Sequence, residues 1–387
     1  MGSKRACHRK QSLYHSGFEA ANCQEAAVSR LPFTSPPRHL CLVRLSALGD
    51  ISHTLPLLRR LQQQWPKCRI SWIIGKTEYQ LVKSIAEVEW IVFDKKGGWR
   101  SYTSLWHQLQ HYQFDAILHL QMSIRASLIV ARLNSPIKLG FDRQRAKDMQ
   151  WLFTNHTIAY RPRQHVVESL LEFATALGVA PSLAPLQWRL PIGADAAAWF
   201  TSLTLRPLAT QPLVVVSPCA SKAQRNWLID RYAAVIDHLQ HHYGVQVVLS
   251  GGGSDTERHY GEAISRLCTL TPLNLIGQTS IQQLLYLLAQ ASVVIAPDSG
   301  PAHLATAVGT PVIGLYAATN PDRARPYLSQ QWLVNRYPEA VEQFLGRQPH
   351  KVRWGQRVNH PEAMALISVA EVLARFEQLS QTALHYR

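Results

Sequence analysis

The chain has 387 residues, 47% apolar and 17% charged, which is long enough for two packed domains and too apolar for global disorder. No apolar run reaches the roughly 18–20 residues that cross a bilayer. The formal charge is +15, with +4 in the first 38 residues and +11 in the rest, so an anionic partner is expected: nucleic acid, acidic lipid, or a phosphorylated or carboxylated substrate.

Residues 1–37 are polar, lack the apolar core of a signal peptide, and read as a disordered N-terminal extension. From residue 39 strands and helices alternate. Strands are expected at 39–46, 69–75, 90–95, 114–121 and 136–142, with helices after the first strand to Trp65 and over 101–112 and 123–133. HVVESLLEFATALG (165–178) is an amphipathic helix, and the proline-containing stretch that follows marks a boundary near 180–195. A second block places strands at 212–218, 245–252, 273–277, 292–297 and 311–316, with helices at 228–243, 255–268, 280–290 and 301–308. The pattern predicts an α/β fold of two Rossmann-like domains, 38–185 and 195–355, facing each other across a cleft. A C-terminal helix within 361–387 is expected to pack back toward the first domain. Cysteines 7, 23, 41, 68, 219 and 268 form no C-x-x-C pair and read as free thiols of a reducing compartment.

Candidate chemistry follows the strands. In SVVIAPDSGPAHLATAVGTPVIGLY (292–316) Asp298-Ser299-Gly300 turns the chain and Pro301 starts a helix, where its missing N–H leaves no bond unmade. Free N–H groups and the helix dipole suit that turn to an anion, with His303 able to donate to a phosphate; a plain β–α turn is the alternative. SPCASKAQRNW (217–227) offers Ser221, Lys222 and Arg225 to a diphosphate, or is a solvated basic loop. LSGGGSDTER (249–258) fails the G-x-G-x-x-G spacing at Thr256, which disfavours an oxidoreductase. There Ser254 or Asp255 either reaches a ribose hydroxyl or caps a helix, and Thr279 either faces a nucleotide or caps the next one. In RLSALGDISHTLPLLRRL (44–61) Asp50 is an N-cap or a carboxylate aimed into the cleft as general base. Lys95, Lys96, Arg100, Arg125, Arg143, Arg145 and Lys147 follow successive strand ends, as a solvated face or as a site for an acidic acceptor. No zinc spacing, G-x-S-x-G or P-loop occurs.

Taken in order, RLSALGDISHTLPLLRRLQQQWP (44–66), the 217–227 loop and APDSGPAHLATAVGTPVIGLYAATNP (296–321) resemble the motif set of glycosyltransferase family 9, the bacterial lipopolysaccharide heptosyltransferases, across roughly residues 39–380. WLFTNHTIAYRPRQHVVESLLEFATALGV (151–179) is more similar to the first heptosyltransferase than to the second or third. The resemblance implies a GT-B fold, an N-terminal acceptor domain and a C-terminal donor domain, and inverting transfer from ADP-heptose to a lipid A–Kdo acceptor, with no metal and no cofactor. It implies Asp50 as base. Ser221, Lys222, Arg225, Asp255, Thr279, Asp298, Ser299, Gly300 and His303 then serve the donor, and Arg44, Lys95, Lys96, Arg100, Arg125 and Lys147 the acceptor. The expected protein is a cytoplasmic monomer in peripheral contact with the inner-membrane leaflet, with no nucleic-acid partner. A GT-B transferase with another sugar nucleotide or a later core heptose acceptor stays open, as does a noncatalytic nucleic-acid module, for which no motif is found.

Overall fold

Strands covered by helices on both faces read as nearly unbroken apolar runs, and those of this chain do so. The computed structural model describes residues 31–205, 208 and 211–383. The first half contains β1 (His39–Val43), α1 (Leu48–Gln64), β2 (Arg69–Gly75), α2 (Lys76–Val82), β3 (Glu89–Phe93), α3 (Gly98–Leu109), β4 (Ala116–His119), α4 (Ile124–Ala131), β5 (Lys138–Gly140), β6 (His156–Thr157) and α5 (Val166–Leu177). After α6 (Ala194–Thr201) the second half runs β7 (Leu213–Val216), α7 (Ile229–Tyr243), β8 (Gln246–Leu249), α8 (Asp255–Leu267), β9 (Leu273–Asn274), α9 (Ile281–Gln290), β10 (Val293–Pro297), α10 (Gly300–Ala307), β11 (Val312–Tyr316), α11 (Pro321–Ala324), β12 (Val334–Asn335), α12 (Tyr337–Leu345) and α13 (Val369–Ala383).

The halves form separate sheets, ordered β3-β2-β1-β4-β5-β6 and β12-β11-β10-β7-β8-β9. Counted within each half these are the same doubly wound order, and the strand pairs are parallel. Every strand's carboxyl end therefore lies on one edge of its sheet. The order reverses between β1 and β4 and between β7 and β10, and a crevice that admits ligands opens at such a point.

Alternate residues of each strand feed different cores. Leu40 and Leu42 of β1 pack with Ile51, Leu55 and Leu58 of α1, whereas Cys41 and Val43 pack with Leu105 and Ile129 on the opposite face. The α1 core runs on without a break into Leu213 and Val215 of β7 and Leu304 of α10, so one apolar cluster spans both halves. Helices α1 and α10 touch across it, as do α6 and α9. Gln282 adds a polar bridge, its Nε2 donating to the Gln80 carbonyl (2.9 Å) and its Oε1 accepting from the Gly193 N–H (3.1 Å).

Several expectations change. Strands β6 and β12, two residues each, are too short to show a pattern, and α2, α6 and α12 were not foreseen. The C-terminal helix does not return to the first domain: α13 packs on α7, β11 and β12 of its own domain, where Phe376 meets Tyr243. The segment before it makes the return, Trp354 Nε1 donating to the Gln164 carbonyl (2.8 Å) and Arg163 to the His350 carbonyl (2.6 Å). Within the expected extension, residues 1–30 lie outside the described residues, but 31–37 are docked: Phe33 N–H donates to Leu177 O (3.0 Å) and its ring meets Trp65 edge-on. Gly178 ends α5 at φ +102°, and a Cβ there would lie 3.0 Å from Pro32, so this junction favours glycine. Cys41, Cys68, Cys219 and Cys268 are free thiols, and burial pushes Cys219 up to about 12. No helix among the described residues is long and apolar enough to cross a membrane.

Candidate active site

The crevice edge of the second sheet holds the turn after β10. Ser299 is the N-cap of α10, yet its side chain makes no capping bond; its Oγ is buried without a partner. Gly300 opens the helix, and a Cβ there would meet nothing within 4 Å. A helix N-terminus with an unused buried hydroxyl and open space above it can receive an anion.

Asp298 organises the surroundings of this turn. Its Oδ2 and carbonyl oxygen both accept from Arg225 Nη1 (3.1 and 2.8 Å), its Oδ1 lies 3.4 Å from His303 Nε2, and Arg225 Nη2 donates to Ser221 Oγ (3.0 Å). Burial alone would raise Asp298, but the hydrogen bond from His303 and the charges of His303 and Arg225 outweigh it and hold the carboxyl below its ordinary range. Arg225 is thus largely committed to Asp298 and Ser221, where the sequence assigns it to a diphosphate directly. Only its Nε, buried and unpartnered, and one Nη2 hydrogen remain uncommitted.

The carboxyl edge of β1 meets this turn. Asp50 is not the N-cap of α1 but its third residue: Ala47 caps, and Asp50 Oδ2 accepts from the Ala47 N–H at 3.1 Å. Its Oδ1 pairs with Arg44 Nη2 at 2.7 Å, and the carboxylate remains 42% exposed. Arg44 is therefore not a free cation for an acceptor. It is buried, bonded to Asp50 and to the Leu120 carbonyl, and it orients the carboxylate. One residue earlier, a Cβ on Gly49 would come within 2.8 Å of His303 Cδ2, so only glycine lets α10 approach this closely. The turn that bears Asp50 therefore packs directly on the first turn of α10, the helix that Ser299 caps.

A histidine chain links the domains. His53 Nε2 and His303 Nδ1 are 3.1 Å apart, and His165 lies 5.9 Å from His53 between ring centres. His303 Nε2 faces Asp298 Oδ1, its Nδ1 shares a hydrogen with His53 Nε2, and His53 Nδ1 is buried without a partner. His303 thus bridges Asp298 of its own domain and His53 of the other. Burial, reinforced by His303 and His165, lowers His53 well below its ordinary value. Burial also brings His119 and His165 to about 3. These histidines are neutral when folded but bind protons in the unfolded chain below about pH 6.5. Stability is therefore full above that pH and falls as pH drops, with a slope approaching about 1.4 kcal/mol per pH unit for each histidine. Urea unfolding at pH 7 and pH 5 should show the loss, and replacing His119 with Asn should shrink it; a pH-independent midpoint would refute it.

The remaining candidates divide. Lys95 is spent on buried Glu78 (2.7 Å), leaving no free charge for an acceptor. Lys96, Arg100, Arg125 and Lys147 are exposed on loops or helix starts after β3, β4 and β5, the same edge as Asp50. Arg145 is held by Asp142, Gln164, Ser169 and Ala159. Lys222 is exposed. Ser254, not Asp255, caps α8, and Asp255 is exposed. The carboxylate that faces the glycine turn is Glu257, which accepts from the Gly252 N–H at 2.7 Å. The sequence reading missed Glu257, although Ser254-x-x-Glu257 is a capping-box signature. Ser280, not Thr279, caps α9. Also unforeseen were His53, His165 and Arg323, the last in the proline-started helix α11. Among the described residues no three His, Cys, Asp or Glu side chains have metal-holding geometry.

A model of the glycosyltransferase family 9 (heptosyltransferase) family matches residues 102–348. The lipopolysaccharide core heptosyltransferase OpsX of Haemophilus influenzae is 37% identical over 350 residues, covering 90% of this chain and 98% of its own. This chain belongs to glycosyltransferase family 9. The family 9 enzyme is also similar to lipopolysaccharide heptosyltransferase 1 of Escherichia coli strain RS218, at 26% identity over 332 residues covering 80% and 98% of the two chains. The crystal structure of a family 9 glycosyl transferase from Veillonella parvula superposes with a TM-score of 0.73 at 20% identity, over 88% of this chain and 97% of the other, which bears out the GT-B fold. The protein is a glycosyltransferase whose two Rossmann-like domains meet at Asp50 and the Ser299 turn.

Proposed function

We propose that this glycosyltransferase moves heptose, with inversion, from ADP-L-glycero-D-manno-heptose to a Kdo-containing sugar of the lipopolysaccharide inner core, without a metal or cofactor. The observation that carries this reading is the close packing of Gly49, beside Asp50, on His303 in the first turn of the helix that Ser299 and Gly300 open. The acceptor hydroxyl oxygen bonds to the anomeric carbon as its proton passes to Asp50. The bond from that carbon to the phosphate oxygen breaks, and the electron pair leaves with ADP. Charge growing on ADP is met by the amides and dipole of α10 and by Ser299 Oγ. Cations Lys96, Arg100, Arg125 and Lys147 receive the acidic acceptor on the opposite edge. Exposed Trp99, Trp151 and Leu152 beside Arg100, Arg143 and Lys147 support contact with an anionic lipid surface.

The test is direct. Purified protein is incubated with ADP-heptose, UDP-sugars or GDP-sugars and with acceptors ending in Kdo or already carrying heptose, in anionic vesicles at rising salt. A mass increase of one heptose on the Kdo-terminated acceptor, from ADP-heptose alone and weakened by salt, is expected. Transfer only from another nucleotide sugar overturns the donor assignment, transfer only to heptosylated acceptor overturns the acceptor, and salt-insensitive vesicle binding overturns the membrane contact.

A further inference from the structure

Arg323 lies on α11 at the carboxyl edge of β11, beside the strand that carries Asp298 and Ser299. Its backbone surroundings are fixed. Tyr316 OH donates to Ala324 O (3.2 Å), His165 Nε2 meets Arg325 O (3.0 Å), and Asn320 Nδ2 donates to Trp354 O (3.2 Å). The side chain runs along Gly355, where a Cβ would lie 3.5 Å from Arg323 Nε.

What distinguishes Arg323 from exposed Arg357 is that it is half-buried and still lacks a partner. Nearby arginines are engaged: Arg44 with Asp50, Arg225 with Asp298, Arg325 with Gln330. The Arg323 guanidinium makes no hydrogen bond or ion pair among the described residues; it is half-buried and feels the charges of both Asp50 and Asp298. Burial weakens its hold on its proton and the two carboxylates strengthen it, while Arg357 and Arg44 oppose them. Arg323 thus lies among two further arginines, Arg44 and Arg357, and two carboxylates, Asp50 and Asp298. A partly desolvated cation without a direct counter-ion gains by pairing with a bound anion.

Resting on the family 9 reaction proposed above, we infer that Arg323 is a substrate-contacting catalytic cation that pairs with an anionic substrate oxygen in the crevice between Asp50 and the Ser299 turn. The anion is either the donor's diphosphate or an acidic group of the acceptor sugar. Both present an oxygen that the two-pronged guanidinium can hold, and the diphosphate gains charge as the sugar leaves.

Arg323→Met and Arg323→Lys separate these cases. Titration calorimetry with ADP and with inorganic pyrophosphate reads the donor source, and the KM for acceptor reads the other. For Arg323→Met an affinity loss of about 10- to 100-fold is expected in one of the two, partly restored in Arg323→Lys. Thermal melting of the ligand-free Met variant should be unchanged or higher than wild type, since Arg323 has no partner to lose. Weakened ADP and pyrophosphate binding identifies the diphosphate; a raised acceptor KM with intact ADP binding identifies the acceptor. Unchanged ADP binding and unchanged acceptor KM overturn the inference, and so does a lowered melting temperature with both constants intact. Failure of the wild type to use ADP-heptose would overturn the proposed reaction instead, and the ADP and pyrophosphate titrations would still report on Arg323.

Discussion

Asp50→Asn is expected to lower turnover by about 100-fold or more while leaving ADP affinity within a few-fold of wild type. The amide oxygen of Asn can still accept from the Ala47 N–H and cap α1, so the fold is spared while the proton acceptor is lost. Asp50→Ala is a harsher change. It also strips buried Arg44 of its ion-pair partner at 2.7 Å, leaving a cation whose Nε already lacks one. Both variants therefore lose the Arg44 ion pair, but the Asn variant keeps the Ala47 bond and should lose less stability than the Ala variant for the same kinetic loss. Initial rates at saturating donor and acceptor, read beside urea unfolding, check this. Turnover near wild type in Asp50→Asn would remove Asp50 from the role of base.

Asp298→Ala should damage binding and stability together. It removes the shared acceptor of Arg225 and His303, and all three side chains are largely buried. Breaking a buried charged pair by deleting one partner typically costs about 3–5 kcal/mol. Without Asp298 Oδ2, Arg225 keeps the Asp298 carbonyl and Ser221, so it loosens rather than leaves. ADP affinity is expected to fall about tenfold or more, because the mouth of α10 loses its wall. The carboxyl of Asp298 is held below its ordinary range, so its stabilisation is complete above about pH 4 and disappears as pH falls through the lowered value. Urea unfolding and calorimetry with ADP measure both effects; if neither changes, Asp298 does not organise the site.

Much of this arrangement is legible in the amino-acid order, for a topological reason. In a parallel doubly wound sheet every loop after a strand emerges on one edge. Finding Asp50 after the first strand and Ser299 after β10 therefore already puts each at a sheet's carboxyl edge. The turn residues Pro301 and Gly300 and the period of Ile51, Leu55 and Leu58 are local signals, readable without the fold. Local signals also name the helix caps: the capping boxes of α8 and α9 assign them to Ser254 with Glu257 and to Ser280 with Gln283.

Side-chain commitments were not legible, because they depend on residues distant along the chain. His303 meets His53 across 250 positions, Arg225 meets Asp298 across 73, and Lys95 meets Glu78 across 17. A cation read from sequence carries its charge but not its partner, so Arg44, Lys95 and Arg225 looked equally free. The sequence by itself determined the two α/β halves, the strand-end loops that hold the chemistry, and the family motif set. Only the tertiary structure decided which charges are spent inside the protein and which, like Arg323, still face the crevice. Pairing depends on distance and burial, and close packing of α1 on α10 sets both.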